Sequence, residues 1–245
     1  MRSNFLSFGI CLGVLLSSGC YKESQVPEGE IFLKVNKSAS IVEADGVSKL
    51  NIQVELPMGT LTAKRGIIFS TTKGTFDLDG KNTATITAAD VYANGGSKVI
   101  ASANLVSTTE EGLCVISIRA QNYLRQDTVF FTRAYPNLVS TSVDKLNYKA
   151  DGSSEITLTT QLERLAGKGK VSLGQSIKID AFDMAGLPIG NFRNKSFLVD
   201  ADGKVSNFFS IPAASGYNGA LKIITSVANG PASELSETII INVQK

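Results

Sequence analysis

Two short segments of the chain place paired carboxylates directly before a glycine, and such pairs can bind a metal ion. The pairs are Asp77 with Asp79 and Asp200 with Asp202. Calcium prefers hard oxygen ligands, but an EF-hand loop also needs a third acidic or amide position and a later bidentate glutamate, which neither segment supplies. Asp-Gly is also a strong signal for a hairpin turn. We therefore favour plain turns and keep the four aspartates as calcium candidates.

The residue types that are missing restrict catalysis. The 245-residue chain has no histidine, which excludes Ser-His-Asp and Cys-His catalysis, most zinc sites and haem ligation. Acidic pairs can hydrolyse glycosides when a cleft holds them apart, but the sequence indicates no cleft. It also has no tryptophan to stack on sugar rings. We interpret the chain as non-enzymatic and expect no cofactor.

The charge balance argues against a nucleic-acid partner. Lys and Arg number 24 against 22 Asp and Glu, whereas a nucleic-acid binder needs a basic stripe. A small basic cluster, Arg164 with Lys168 and Lys170, is predicted to lie in an exposed loop. Such a loop can meet an anionic surface, but we favour a solvated, flexible loop.

The first 20 residues, MRSNFLSFGICLGVLLSSGC, have the features of a targeting segment. Arg2 gives a positive start, and the apolar run that ends at Leu16 is too short to span a bilayer. Small residues then lead into Cys20. The segment resembles a bacterial lipoprotein signal, in its looser Bacteroidetes-type form, because Leu16 lies one position earlier than the usual leucine.

This resemblance implies that residues 1–19 are removed and that Cys20 is acylated. It implies a membrane anchor at Cys20, followed by a polar tether over residues 20–29. The pair Lys22-Glu23 resembles a signal for export to the outer cell face. We expect an outer-membrane lipoprotein exposed on the surface, with a periplasmic orientation as the alternative. Cys114 is then left without a disulfide partner and is predicted to be a small buried residue.

The rest of the chain reads as short strands. Residues 50–56 and 156–162 alternate apolar and polar side chains, which predicts half-buried strands. Asp-Gly, Lys-Gly and Gly-Gly turns separate the candidates, and this spacing is typical of a β-sandwich or barrel. Further strands are predicted at 65–71, 82–88, 97–106, 112–121, 126–134, 143–149, 175–183, 194–199, 203–211, 219–228 and 236–243.

The strand pattern is repeated along the chain. Ala44-Asp45-Gly46 and Ala150-Asp151-Gly152 each precede an alternating strand by the same number of residues, at an offset of 106. The repeat predicts two tandem sandwiches, at residues 30–135 and 137–245. The short Pro-containing junction between them, residues 134–137, indicates a fairly stiff rod.

These residues resemble the bacterial Ig-like domains of invasin and intimin. In the first copy, the Ala-Asp-Gly turn and the later segment FSTTKGTF at residues 69–76 match the pattern of that family. In the second copy, DMAGLPI at residues 183–189 and ADGKV at residues 201–205 match it. The second copy has extra chain near residues 164–174. The resemblance implies an all-β fold, two tandem Ig-like β-sandwiches after a cleaved signal peptide, and use as spacers or adhesive modules.

Two functions follow from these observations. The first is a lipid-anchored surface protein whose Ig-like domains serve adhesion, interaction or spacing, with a protein or glycan partner. The alternative is a carbohydrate-binding accessory lipoprotein of an outer-membrane glycan uptake system. An exposed aromatic platform would distinguish them, and the candidates for it are Tyr92, Tyr123, Tyr135, Tyr148 and Tyr217.

Overall fold

The computed structural model describes residues 34–93, 96–193 and 197–244, and these residues are organised almost entirely as β-strands. The predicted signal peptide, Cys20 and the tether lie outside the described residues. Helical structure in the described part is limited to two 3₁₀ turns, Thr62–Lys64 and Ala213–Ser215. No helix there is long and apolar enough to cross a membrane.

Residues 34–133 form the first sandwich. One sheet contains β1, β3, β8, β5 and β7, and the facing sheet has the order β2-β10-β9-β4-β6. The strands are β1 (Lys34–Lys37), β2 (Ile41–Ala44), β3 (Lys49–Leu56), β4 (Gly66–Thr71), β5 (Thr75–Phe76), β6 (Thr83–Thr87), β7 (Ala89–Ala93), β8 (Gly96–Val106), β9 (Gly112–Ala120) and β10 (Tyr123–Arg133).

Residues 138–244 form the second sandwich. Its sheets have the orders β11-β13-β16-β15 and β12-β18-β17-β14. The strands are β11 (Leu138–Val143), β12 (Asn147–Lys149), β13 (Ile156–Glu163), β14 (Ile177–Asp183), β15 (Asn191–Phe192), β16 (Lys204–Ser210), β17 (Gly219–Gly230) and β18 (Ser233–Gln244). The all-β fold with two tandem sandwiches, predicted from the sequence, is confirmed.

Period-two alternation explains how each sandwich forms its core. In β3 every second side chain, from Leu50 to Leu56, is buried between the sheets. In β13 the inward positions from Ile156 to Leu162 are likewise buried. The buried apolar side chains fall into two separate clusters, one in each sandwich, so each sandwich has its own hydrophobic core.

Two predicted strands differ from the structure. The stretch 143–149 is divided into β11 and β12, because the chain changes sheet there: β11 pairs with β13, whereas β12 pairs in parallel with β18. Of the stretch 194–199, residues 197–199 contain an isolated bridge at Leu198 and no strand. β1 and β2 make the same change of sheet in the first sandwich.

The strand registers define the two ends of the first sandwich. β3 starts next to Asp45 and runs towards Leu56, and Lys34 of β1 lies opposite Glu55. The chain therefore enters this sandwich at one end, and it leaves at the other end through Arg133, which lies beside Ala44 in the sheet. We call the first end the N-terminal tip and the second the junction.

Candidate functional site: the junction of the two sandwiches

The junction contains a buried aspartate, Asp45, whose side chain is 2% exposed. Its carboxylate first closes its own turn, accepting hydrogen bonds from the backbone N–H of Val47 (2.9 Å) and of Ser48 (2.7 Å). The hydroxyls of Ser48 and Ser107 donate to it at 2.8 and 3.0 Å. Burial raises the pKa of Asp45, but these hydrogen bonds outweigh burial and hold the pKa below its ordinary value.

The same carboxylate is also bound from the second sandwich. Arg164 donates to Asp45 Oδ2 at 3.1 Å and to Glu43 Oε2 at 2.7 Å. The Arg164 side chain is 6% exposed, so the Arg164–Asp45 pair is buried on both sides. A buried pair is retained at a cost in desolvation, but removing one partner leaves an uncompensated charge.

The position of Arg164 corrects the prediction that its basic cluster is a solvated, flexible loop. Lys168 and Lys170 are exposed, and Lys170 pairs with Asp202 at 2.6 Å. Arg164 instead points into the junction, and the carbonyl of Lys168 accepts a hydrogen bond from its guanidinium at 2.6 Å. The extra chain at residues 164–174 therefore joins the two sandwiches, and we call it the strap.

Backbone hydrogen bonds hold the strap against the first sandwich. The N–H of Lys170 donates to the carbonyl of Asp45 at 2.9 Å, and the N–H of Leu173 donates to the carbonyl of Thr109 at 2.9 Å. The buried Ser172 hydroxyl donates to the carbonyl of Ala44 at 3.0 Å. Backbone groups that pair in this way fix both distance and direction between the strap and the Asp45 turn.

The linker is bound to the same strap. Ala134 and Ser172 exchange two hydrogen bonds, one from the Ala134 N–H to the Ser172 hydroxyl at 2.8 Å and one from the Ser172 N–H to the Ala134 carbonyl at 3.1 Å. The side chain of Asn137 accepts from the N–H of Leu165 at 3.1 Å. The linker is thus part of the packed junction, which restricts rotation between the sandwiches.

Gly169 lies at a close approach of the strap to the first sandwich. A β-carbon at this position would lie 2.5 Å from the carbonyl oxygen of Asp45 and 2.6 Å from Cγ2 of Val47. Its φ of +74° also lies in the left-handed region that favours glycine. Nearby Gly167 has φ +81°, but a β-carbon there would meet nothing within 4 Å. Close packing therefore depends on glycine at position 169.

The repeated turn in the second sandwich has the same local structure in a different setting. Asp151 accepts hydrogen bonds from the backbone N–H of Ser153 and of Ser154, and both hydroxyls donate to it. These hydrogen bonds lower the pKa of Asp151. Asp151 is exposed, whereas Asp45 is buried. The Ala-Asp-Gly pattern thus specifies the turn, and the junction adds the arginine to one copy.

The four calcium candidates lie in turns at separate places. Asp77 accepts hydrogen bonds from Asn104 Nδ2 at 3.0 Å and from Lys49 Nζ at 3.3 Å. Asp79 accepts from the backbone N–H of Lys81.

In the second pair, Asp200 accepts from the N–H groups of Asp202 and Lys204. The ammonium of Lys170 holds the pKa of Asp202 below its ordinary value. The described residues contain no group of three or more His, Cys, Asp or Glu side chains placed to share a metal ion.

The aromatic and thiol candidates are dispersed. Tyr92 is largely exposed, Tyr148 is buried, and the other three candidate tyrosines, Tyr123, Tyr135 and Tyr217, are half-buried. No platform of several exposed tyrosines is therefore present in the part of the chain that the structure describes. Cys114 is a buried free thiol beside the hydroxyl of Thr71, at 2.9 Å.

Solved structures of bacterial adhesins have the same fold. The chain matches the Yersinia pseudotuberculosis adhesin InvE with a TM-score of 0.54 and 15% identity over 86% of its length. It matches invasin, described as a bacterial integrin-binding protein, with a TM-score of 0.55 and 16% identity over 86% of its length. The chain spans 58% of the InvE chain and 38% of the invasin chain. These likenesses support the invasin-type Ig-like fold of the two sandwiches.

Comparisons of sequence gave no match. No family model matches the chain, and no curated protein matches it.

The role of Arg164 was missed by sequence reasoning, although one signal was available. The strap is an insertion relative to the first copy, and an insertion that begins with an arginine near a domain boundary is a candidate for contact with the neighbouring domain.

Proposed function

We propose that this chain is a non-enzymatic cell-envelope protein whose Ig-like domains form a stiff module for spacing and surface interaction. In this proposal acylated Cys20 holds the protein on the outer membrane, with its domains on the cell surface. The observation that carries it is the polar junction, where the buried Arg164–Asp45 pair and Ser172 join the two sandwiches. A fixed junction sets the direction in which the second sandwich projects.

The placement of the reactive residue types supports a non-enzymatic role. The Asp-x-Asp carboxylates are engaged by their own turn N–H groups or by lysines instead of facing one another across a substrate. General acid–base chemistry on a glycoside requires the second arrangement. The arrangement of the tyrosines also favours an interaction module over the glycan-uptake alternative, which needs an aromatic platform.

The partner in this proposal is a protein or glycan on a cell surface or in the envelope. Sandwich ends present loops, and edge strands can pair with a strand from another chain. The fold shared with InvE and invasin, one an adhesin and the other an integrin-binding protein, supports an adhesive or interaction role.

Protease treatment of intact cells tests the location and the anchor together. Wild-type protein and a Cys20→Ala variant are followed by immunoblot before and after membrane permeabilisation, with a periplasmic protein as the integrity control. We expect wild-type protein to be acylated, to fractionate with membranes and to be digested in intact cells. The Cys20→Ala protein should lose its acyl chains and leave the membrane fraction. Protection until permeabilisation would contradict surface exposure, and membrane retention of Cys20→Ala would contradict the anchor.

A further inference from the structure

The N-terminal tip of the first sandwich exposes large apolar side chains on the side where the chain enters. In the strand register, Lys34 of β1 lies opposite Glu55 of β3 at this end. The loop at residues 57–65 begins two residues after Glu55. Met58 and Leu61 in this loop are 65% and 62% exposed, and Tyr92 in β7 is 82% exposed. Burial of such side chains against an apolar partner is favourable, at roughly 25 cal/mol for each Å² covered.

Hydrogen bonds connect the loop and the strand that carry these apolar side chains. Arg65 Nε donates to the carbonyl of Thr60 at 2.8 Å, and its guanidinium binds Asp90 of β7 at 2.9 Å. Arg65 therefore ties the loop that carries Leu61 to the strand that carries Tyr92. The loop is further closed by the Thr60 N–H, which donates to the Pro57 carbonyl at 3.2 Å. These hydrogen bonds order the backbone of the loop in advance, which lowers the entropic cost of covering it.

The tip also has an excess of positive charge. Among the described residues level with or beyond Glu55 in one sheet and Arg119 in the facing sheet, five side chains are cationic and two are acidic. The cations are Lys34, Lys64, Arg65, Lys98 and Arg119, and the acids are Glu55 and Asp90. Cations around an exposed apolar surface match a leaflet with anionic headgroups, where each cation near the surface adds to binding.

The far end of the second sandwich lacks this combination. Leu187 in the turn after β14 is 64% exposed, which matches Leu61. Asp183 accepts a hydrogen bond from the Leu187 N–H at 2.8 Å, and Arg193 at this end pairs with Glu155 at 3.0 Å. Acidic Asp151 follows Lys149 in the chain, so acidic groups balance the cations at this end. Exposed apolar residues thus occur at both ends, and positive charge distinguishes the tip.

We propose that the N-terminal tip inserts Met58, Leu61 and Tyr92 into the interface of the anionic lipid leaflet that holds the anchor and so sets the rod upright on the membrane. This inference rests on the proposed acylation of Cys20. The fifteen residues from Cys20 to Lys34 reach at most about 50 Å, so the anchor keeps the tip beside the leaflet. Anchoring raises the effective concentration of the tip at the surface, and a second membrane signal strengthens a lipid anchor.

Tryptophan fluorescence offers a direct test because the chain has no tryptophan of its own. Acylated full-length protein carrying Leu61→Trp is reconstituted in vesicles of phosphatidylcholine and phosphatidylglycerol. The matched control is Leu187→Trp, a leucine of nearly equal exposure at the opposite end of the rod. Vesicles containing phosphatidylcholine brominated on its acyl chains then report contact with lipid, and flotation of the vesicles reports anchoring.

We expect the protein to float with the vesicles, Leu61→Trp to lose more than half of its emission to bromolipid, and Leu187→Trp to be unaffected. High salt should weaken quenching of Leu61→Trp without releasing the anchored protein, because headgroup attraction is screened. Flotation without quenching of Leu61→Trp would overturn the tip proposal and leave the anchor standing. Quenching of both tryptophans would overturn the upright orientation. Failure to float would overturn the anchor and the tip proposal that rests on it.

Discussion

Replacement of Gly169 by alanine perturbs the junction where the strap packs closely on the Asp45 turn. The new β-carbon would lie 2.5 Å from the Asp45 carbonyl oxygen and 2.6 Å from Val47 Cγ2, and backbone cannot yield there as a flexible side chain would. Left-handed φ adds about 1–2 kcal/mol of strain for any residue with a β-carbon. Gly167→Ala has the same kind of strain without the contact, and it is the matched control.

The difference in free energy of unfolding between Gly169→Ala and Gly167→Ala measures how much the contacts of the junction contribute to stability. To relieve the contact, the strap must move away from the Asp45 turn, which loses the hydrogen bond from the Lys170 N–H, worth about 1 kcal/mol. The movement also disrupts the buried Arg164–Asp45 pair, and breaking such a pair costs about 3–5 kcal/mol. We expect Gly169→Ala to be less stable than Gly167→Ala by about 2–5 kcal/mol.

Urea unfolding followed by circular dichroism gives the free energy of unfolding of both variants and of wild-type protein. Limited proteolysis at the linker gives a second readout, because a lifted strap exposes residues 134–137. If the two variants are equally stable to within about 0.5 kcal/mol, position 169 behaves like an ordinary surface position. That result would refute the close contact at Gly169.

Three further substitutions test other parts of the account. Arg164→Ala should destabilise the protein by about 3 kcal/mol in urea unfolding, whereas Lys178→Ala, which breaks an exposed pair, should leave stability nearly unchanged; similar losses would contradict a buried junction pair. The depressed pKa of Asp45 contributes stability that is complete above its ordinary value near 3.8 and is lost as pH falls through the lower folded pKa. Wild-type stability should therefore decline more than that of Asp45→Asn between about pH 5 and pH 2, and parallel curves would be inconsistent with it. Asn207 is fully buried and its amide has no hydrogen-bond partner in the described structure, so Asn207→Leu should raise the free energy of unfolding by about 1 kcal/mol; a loss in calorimetry would argue against that burial cost.

The sequence predicts the longer strands well because their own alternation records two faces. β3 and β13 were expected at residues 50–56 and 156–162, and each lies within one residue of that range at both ends. β2 and β5 were not predicted, since strands of four and two residues carry too little periodicity. Their pairing, including the parallel ladder between β2 and β10, depends on residues far away in the chain.

The junction could not be derived from local pattern. A segment such as RLAGKGK has the composition of a solvated loop, and nothing in it indicates which of its cations is buried. Arg164 is buried because Asp45 and Glu43, more than a hundred residues earlier, accept hydrogen bonds from it. The same turn sequence at Asp151 stays exposed, so tertiary context separates two local patterns that are otherwise alike.

The central claim, that the junction fixes the two sandwiches relative to each other, can be measured as a distance distribution. Nitroxide labels at Thr85→Cys and Lys204→Cys, two exposed strand positions in different sandwiches, are introduced into protein from residue 21 onwards, with Cys114→Ala to remove the remaining native thiol. Pulsed electron–electron double resonance should give a single narrow distribution of distances between the labels in this background, and a broad distribution when Arg164→Ala is added. A broad distribution before Arg164 is changed, or a narrow one that Arg164→Ala leaves unaltered, would contradict the claim.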